Sequence, residues 1–508
     1  MNTIKKAATV VALFLSFSFM AKAQESSKEA AAIPKEEKSV TRHTVVIDGK
    51  TINYTATAGA LIVRNNIDEP VAFYGYTYYS KDGITDATKR PITFSFNGGP
   101  GSSSMWLHMG AMGPKRLIVN DPFDNGAGPY KLEDNQYSIL DESDIVMMDP
   151  IGTGISRAIG KAKNENFWSV DGDIRSVGDF MKQFLVDNER LNSPRFILGE
   201  SYGTMRSAGV SKYLQNAGFA FNGIILVSAV LDLRTLTFQD GDDISFVMNL
   251  PTYAATAWYH NKIPNKPASI ENYLKEARAF AEGPYTAALM KGSKITQTES
   301  EAIAKKLSYF TGLSTSYILN GKLRISQGQF CQELLRDEHM TTGRIDSRYK
   351  GINQNLLSER TSFDPQATAL SPIYITSFLN YYYNELKVNK NLTYHTTANS
   401  LAGFKWDWKH NTSGFGDAAT PNTAVDLADA MSKNPNLKIL VLNGYYDLAT
   451  PFYGIEYTFD HMGLEPKILA NVQMKYYEAG HMMYTHPASG VAFKKDVASF
   501  IKANSNIK

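Results

Sequence analysis

Three residues far apart in the chain have the types that together activate a hydroxyl: Ser201, Asp447 and His481. A serine hydroxyl is scarcely ionised near neutral pH and needs a base to take its proton. Histidine can be that base if its other ring nitrogen meets an acceptor that fixes the tautomer and stabilises the imidazolium, which is what an aspartate provides. Ser201 sits in Gly199-Glu200-Ser201-Tyr202-Gly203, after the apolar run Phe196-Ile197-Leu198 and before a helix-compatible stretch, Thr204 to Gln215. A strand, a sharp turn and a helix, with serine between two glycines, form the setting of a nucleophile elbow. Five residues alone prove little, so the positions of the other two matter. Asp447 follows the apolar run Leu437–Leu442, and His481 follows Val472–Tyr477. Sites in open sheets form at the carboxyl ends of strands, where all three residues are expected. Alone, Asp447 would read as a turn residue and His481 as an ordinary surface or core histidine.

A fourth part precedes them. Asn97-Gly98-Gly99-Pro100-Gly101-Ser102-Ser103-Ser104 comes directly after the run Ile92–Phe96. Glycines there let backbone N–H groups face a developing oxyanion, the second donor being the N–H after the nucleophile. Alone, it would be a Gly-Pro turn.

The elements that must position these residues read as a βαβ series. Short apolar runs at Ile92–Phe96, Asp144–Met148, Phe196–Leu198 and Gly223–Val227 have the form of buried parallel strands. Asp173 to Asn188 carries Ile174, Val177, Phe180, Met181, Phe184 and Leu185 at helical spacing. Before the series, His43 to Tyr79 reads as a β-meander, with Asp48-Gly49 as a hairpin turn. The series breaks after Leu233, and 238–371 has helical spacing and no strong strand. We expect a helical cap that covers the site and could be exchanged without moving the three residues. Its Tyr253, Trp258, Tyr259 and Tyr309 are expected in its core. The core then comprises 42–237 and 372–508.

Composition bounds the partners. The 508 residues are 43% hydrophobic and 20% charged, with net charge +2, so neither nucleic acid nor an anionic membrane is an expected partner. Residues 1–23 have the pattern of a secretory signal peptide: Lys5-Lys6, an apolar run to Met20, and Ala21-Lys22-Ala23. The run is too short to span a membrane, which takes about 20 residues, so no membrane anchor is expected. Residues 24–41 read as a disordered lead-in, and the protein as exported to the periplasm or beyond. Cys331 is the sole cysteine and reads as a packed thiol. No cofactor is implied, and the histidines show no metal-ligand spacing.

The order Ser201, Asp447, His481 is that of α/β-hydrolases. Four blocks make the resemblance specific: Asn97-Gly98-Gly99-Pro100-Gly101, Asp149-Pro150-Ile151-Gly152-Thr153-Gly154-Ile155-Ser156, Glu200-Ser201-Tyr202-Gly203 and Ala479-Gly480-His481-Met482. In kind and order they resemble the signature blocks of serine carboxypeptidases, here as a bacterial, secreted member. The resemblance implies an α/β-hydrolase fold with a helical cap, and hydrolysis of C-terminal peptide bonds through an acyl-enzyme. It implies Ser201, Asp447 and His481 as the triad, Gly99 and Tyr202 as oxyanion donors, and Asn97, Gly98 and Glu200 as the site for a peptide substrate's terminal carboxylate. Two positions depart from the pattern. Ser102 stands where eukaryotic members carry a disulfide-bonded cysteine. Ala111 stands where they carry a second glutamate that shares the carboxylate network. That departure keeps an esterase or acyltransferase in view as the alternative, with Lys115 or Arg116 as other anchors for a carboxylate.

Overall fold

The computed structural model describes residues 33–411 and 420–507. The signal-peptide pattern and residues 24–32 of the lead-in lie outside the described residues. Nine strands build one sheet: β1 (Glu37–Ile47), β2 (Lys50–Arg64), β3 (Pro70–Lys81), β4 (Ile92–Phe96), β5 (Asp144–Met148), β6 (Arg195–Glu200), β7 (Gly223–Val227), β8 (Lys438–Gly444) and β9 (Val472–Tyr477). Their spatial order is β1-β2-β3-β5-β4-β6-β7-β8-β9, and a short tenth strand, Arg157–Ala158, pairs with β3. From β5 across to β9 every neighbouring pair is parallel. The carboxyl ends of β4, β6, β8 and β9 therefore share one edge, and each runs into one of the motifs above. Every residue of β4, β5 and β7 is buried, as expected of strands covered on both faces.

The meander obeys a different rule. Asp48 and Gly49 both take positive φ, 47° and 74°, and join β1 to β2 as a tight hairpin. β1 begins at Glu37, inside the stretch read as disordered lead-in, and pairs Glu37 with Ala60 through Thr41 with Ala56. Local composition misled there. An outer strand needs backbone pairing rather than an apolar face, and β2 offers a 15-residue edge to pair with.

Helix α1 (Val170–Asp187) buries the residues its spacing singled out and is capped by Ser169, which accepts from the Gly172 N–H. Helix α2 (Tyr202–Asn216) follows the elbow. No helix among the described residues is long and apolar enough to cross a membrane. Helix α3 (Ile244–Tyr259) opens the insertion, which has its own core, where Tyr253 stacks on Phe330 and Cys331 is buried. Burial pushes the Cys331 thiol up to about 12, so it is held as an inert packed group.

Two features of the insertion differ from the expectation. It contains a small antiparallel hairpin, Met340–Thr342 with Lys350–Ile352. Its boundary at 371 also falls inside a helix, α4 (Pro365–Asn380). Pro372 does not end α4, because Leu370, Ile373, Tyr374 and Phe378 on its buried face pack into the core beneath the sheet. A proline inside a helix costs about 3 kcal/mol, which that burial outweighs.

The hairpin connection also makes part of the insertion inseparable from the core. The His481 N–H donates to the Ile345 carbonyl (2.8 Å) and the Leu448 N–H to the Arg344 carbonyl (3.1 Å). Gly480 N–H donates to Asp346 Oδ2 (2.9 Å), and the Ser347 N–H and hydroxyl both reach the Tyr446 carbonyl, each at 3.0 Å. Asp346 is wholly buried against Arg348, whose guanidinium also takes Asp121 in two 2.9 Å hydrogen bonds. Residues 344–348 thus frame both the Asp447 and the His481 loops, and the insertion is more than an exchangeable lid. Asp346→Ala leaves Arg348 with one carboxylate and frees the Gly480 N–H. We expect it to lower unfolding free energy by about 3–5 kcal/mol, as broken buried ion pairs do, and to reduce turnover of any substrate. Urea unfolding within about 1 kcal/mol of wild type would show that this strap does not hold the loops.

Candidate active site

The elbow is strained as its sequence requires. Ser201 has φ 60° and ψ −131°, between the end of β6 and the start of α2, and its N–H donates to the Val227 carbonyl at 3.0 Å. Such a conformation costs about 1–3 kcal/mol and persists only where the surroundings over-determine it. Two glycines permit the packing. A Cβ on Gly199 would lie 2.3 Å from the Gly203 carbonyl oxygen. A Cβ on Gly98 would lie 2.5 Å from the Tyr202 nitrogen. The glycine-rich loop after β4 therefore rests directly on the elbow. Among the described residues, the N–H groups of Gly99 and Tyr202 donate to no protein acceptor, which leaves them available as a donor pair.

The acid and the imidazole are joined. His481 Nδ1–H donates to Asp447 Oδ2 at 2.8 Å, which leaves Nε2 as the basic nitrogen. Asp447 has no exposure to water, and its charge is met by Ala449 N–H (2.8 Å), Thr450 N–H (2.9 Å) and the Thr450 hydroxyl (2.6 Å). Burial opposes a charge on His481, yet Asp447 and Glu200 outweigh it and hold the imidazole above its ordinary pKa. Ser228, after β7, draws the pieces together: its N–H donates to the Leu442 carbonyl (2.8 Å) and its hydroxyl to the His481 carbonyl (2.6 Å). The Ser201–His481 hydrogen bond itself is not formed in this structure. Such bonds often close only when substrate is bound.

Beside the elbow lies a second carboxyl. Glu200 is 4% exposed; Asn97 Nδ2 donates to its Oε1 and the Tyr484 hydroxyl to its Oε2, both at 2.7 Å. Burial outweighs these donors and the nearby His481, lifting Glu200 to about 7. Asn97 is held in turn. Its Oδ1 accepts from the Leu107 N–H (3.0 Å) and its carbonyl from Arg206 (2.7 Å), a fully buried arginine paired with Asp173 (2.7 Å). Asn97, Gly98 and Glu200 thus come together as the sequence suggested. Ala111 is buried on the turn His108–Met112 and brings no carboxyl. Lys115 pairs with Asp134 (2.7 Å) and Arg116 lies over the Tyr137 ring, so both have other partners.

Sequence reasoning missed Thr450, Tyr484, Arg206 and the 344–348 strap. Thr450 is three residues past Asp447 and Tyr484 three past His481, but neither spacing carries a motif. The glycine-rich loop has backbone anchors beside Ser102. Ser103 N–H donates to Thr396 O (3.0 Å) and Ala398 N–H to Gly101 O (2.8 Å). Asp149, from the second signature block, accepts from the Ser104 N–H (2.8 Å) and the Tyr394 hydroxyl (3.1 Å). That block positions the loop.

The family model "Serine carboxypeptidase" matches residues 49–495. Serine carboxypeptidase-like 20 of Arabidopsis thaliana is 33% identical over 130 residues, 25% of this chain and 24% of that protein. Serine carboxypeptidase-like 45 of the same plant is 23% identical over 265 residues, 50% of this chain and 52% of that protein. The chain thus aligns with about a quarter to a half of the length of these curated relatives. Among solved structures, the prohormone-processing carboxypeptidase of Saccharomyces cerevisiae aligns with TM-score 0.49 at 14% identity, over 89% of this chain and 91% of that one. A proline iminopeptidase of Mycobacterium smegmatis aligns with TM-score 0.33 at 13% identity, over 92% and 99%. The family match runs from the first hairpin to the last helix and takes in every strand end that carries a motif; with its parallel sheet and elbow, this chain is an α/β-hydrolase fold and belongs to the serine carboxypeptidase family.

Proposed function

We propose that the protein is an exported, bacterial-type serine carboxypeptidase that removes residues from the C-terminus of peptides. The observation that carries this reading is the pairing, on one sheet edge, of the His481–Asp447 couple with a buried glutamate adjoining the elbow serine. Ser201 Oγ attacks the carbonyl of the last peptide bond while His481 Nε2 takes its proton. The oxyanion that forms is met by the Gly99 and Tyr202 N–H groups, and the N-terminus of α2 adds its partial positive charge. His481 then returns the proton to the leaving amine, and water repeats the sequence to free Ser201. Glu200, protonated, donates to the substrate's terminal carboxylate, with Asn97 and Gly98 beside it. The signal-peptide pattern supports export, and a peptide is the expected partner.

Ala111 favours one second reading, an esterase or acyltransferase that uses the same Ser201. A blocked dipeptide with a free carboxylate, its amide and a simple ester separate the two. Faster hydrolysis of the free acid than of its amide supports the carboxypeptidase; equal rates on both, with a faster ester, support the alternative. Ser201→Ala is expected to lower kcat on all three by about 10⁴-fold or more, since a lone triad member removed disables the whole unit. Activity within tenfold of wild type would remove Ser201 from the reaction.

The pH dependence follows from the sign of each shift. His481 works as a base only when neutral, so its raised pKa sets the rising limb for every substrate. Glu200 donates only when protonated, so preference for the free acid over the amide is greatest below about 7 and declines as pH rises through that value. Glu200→Gln keeps an N–H donor at every pH. Its free-acid preference is expected to persist to higher pH; a decline that tracks wild type would mean that Glu200 does not hold the carboxylate.

A further inference from the structure

We propose that Tyr484 is the positioning residue for carboxylate recognition, standing where a second acid is lacking and holding Glu200 so that its single carboxyl proton faces the peptide's terminal carboxylate. The inference rests on the carboxypeptidase reading above and deepens it.

Each oxygen of Glu200 receives one donor, Asn97 on Oε1 and Tyr484 on Oε2, both at 2.7 Å. A carboxyl group offers about four acceptor sites, so room for one proton and one outward hydrogen bond remains. The side chain cannot rotate while both donors hold it. Tyr484 is itself fixed. It lies on the turn Met483–Thr485, three residues after His481, is 4% exposed, and meets Phe493 edge-on with ring centres 5.9 Å apart. Position 110 shows that the ring occupies the space beside Ala111. A Cβ on Gly110 would lie 2.4 Å from Tyr484 Cε2 and 2.6 Å from the Tyr374 hydroxyl. Ala111 itself adds only a methyl group, and its carbonyl is taken by Asn135 (2.9 Å). The Tyr484 ring thus packs against the turn that carries Ala111, and its hydroxyl brings Glu200 the donor on Oε2.

The substitution changes the chemistry. Two acids that share a site share a proton and titrate as a pair. A phenol ionises far above any carboxyl, and burial raises Tyr484 further, so it donates throughout the working range and takes no part in the titration. Glu200 is then one carboxyl losing one proton. The charged and titratable groups that face it are His481 and Asp447 from the loops after β9 and β8, Tyr374 from α4, and Tyr484 itself; Asn97 is neutral. Of these, His481, Tyr484 and Asn97 favour the carboxylate, while burial and Asp447 oppose it. Removing the Tyr484 hydroxyl takes away a donor to the ionised form, so Glu200 must hold its proton to higher pH.

The test measures kcat/KM for a blocked dipeptide and for its amide from pH 5 to 9, and follows their ratio, which cancels the His481 titration common to both. In wild type the ratio is expected to fall with a single-proton slope. Tyr484→Phe keeps the ring and should lower the ratio at pH 5 by about tenfold, the loss of one charge-assisted hydrogen bond, while moving its decline up by about one pH unit. Gly110→Ala, which displaces the same ring and leaves its hydroxyl, should move both quantities in the same directions by less, and serves if the phenylalanine variant does not fold. A Tyr484→Phe profile that superimposes on wild type overturns the proposal and leaves the carboxypeptidase reading intact. A two-proton slope in wild type overturns it too, since Glu200 would then share its titration. A wild-type ratio of one at every pH overturns the carboxypeptidase reading, and this proposal with it.

Discussion

A carboxylate with no contact with water must find its solvation within the protein, and Asp447 is in that position. Two backbone N–H groups, the Thr450 hydroxyl and the His481 ring supply it, and each fixes a piece of chain as it does so. The turn 447–450 closes around the carboxylate, and the imidazole takes one tautomer and one orientation. The loops that carry both residues then need their own anchors, which Arg344–Arg348 provide from within the insertion. The cost of burying one charge thus explains why a segment of the insertion belongs to the frame of this site. The Asp121–Arg348–Asp346 cluster repeats the principle: a buried guanidinium must be paired and hydrogen-bonded, here by two carboxylates.

Glu200 is buried almost as deeply and behaves in the opposite way. Its donors among the described residues are an amide and a phenol, with no converging backbone N–H groups, so burial prevails and its pKa rises to about 7. Two carboxyl groups near one serine are thereby given different tasks by their surroundings alone. Asp447 supports a positive charge on the imidazole, whereas Glu200 is kept near the point where it can hold a proton and donate it. The two sides of the site are not independent. His481 and Glu200 each feel the other's charge, so a negative group arriving beside Glu200 draws a proton to that end of the site. On the proposed reading, binding of a free C-terminus and readiness of the base would be coupled through that field.

Near the elbow, rigidity is obtained without a disulfide. The glycine-rich loop is held from three directions: by the 396–398 segment through backbone pairing, by Asp149 at its far end, and by Arg206 reaching from α2 to the Asn97 carbonyl. With one cysteine in the chain, these hydrogen bonds do the work of a covalent link, and Gly98 lets the loop lie close enough to the elbow to present its N–H groups.

The sequence by itself determined whatever depends on neighbours along the chain. Strand and helix runs follow from apolar period, the elbow from a strand, a serine between glycines and a helix, and the β1–β2 turn from Asp48-Gly49. The order of motifs at strand ends was legible as well, because parallel strands must deliver them to one edge. Tertiary structure decided what depends on residues distant in sequence. Glu37–Thr41 became a strand because β2 had an edge to offer, and α4 ran through Pro372 because its apolar face had a core to enter. Thr450 and Tyr484 hold Asp447 and Glu200 through hydroxyl groups whose value lies in position, and no local pattern distinguishes such a hydroxyl from any other. Ala111 could be read as a missing acid, but only packing brought a tyrosine from the far end of the chain, 284 residues from Glu200, to hold that carboxyl. Periodicity is written in consecutive residues, whereas solvation of a buried charge is assembled from wherever the fold can bring a donor.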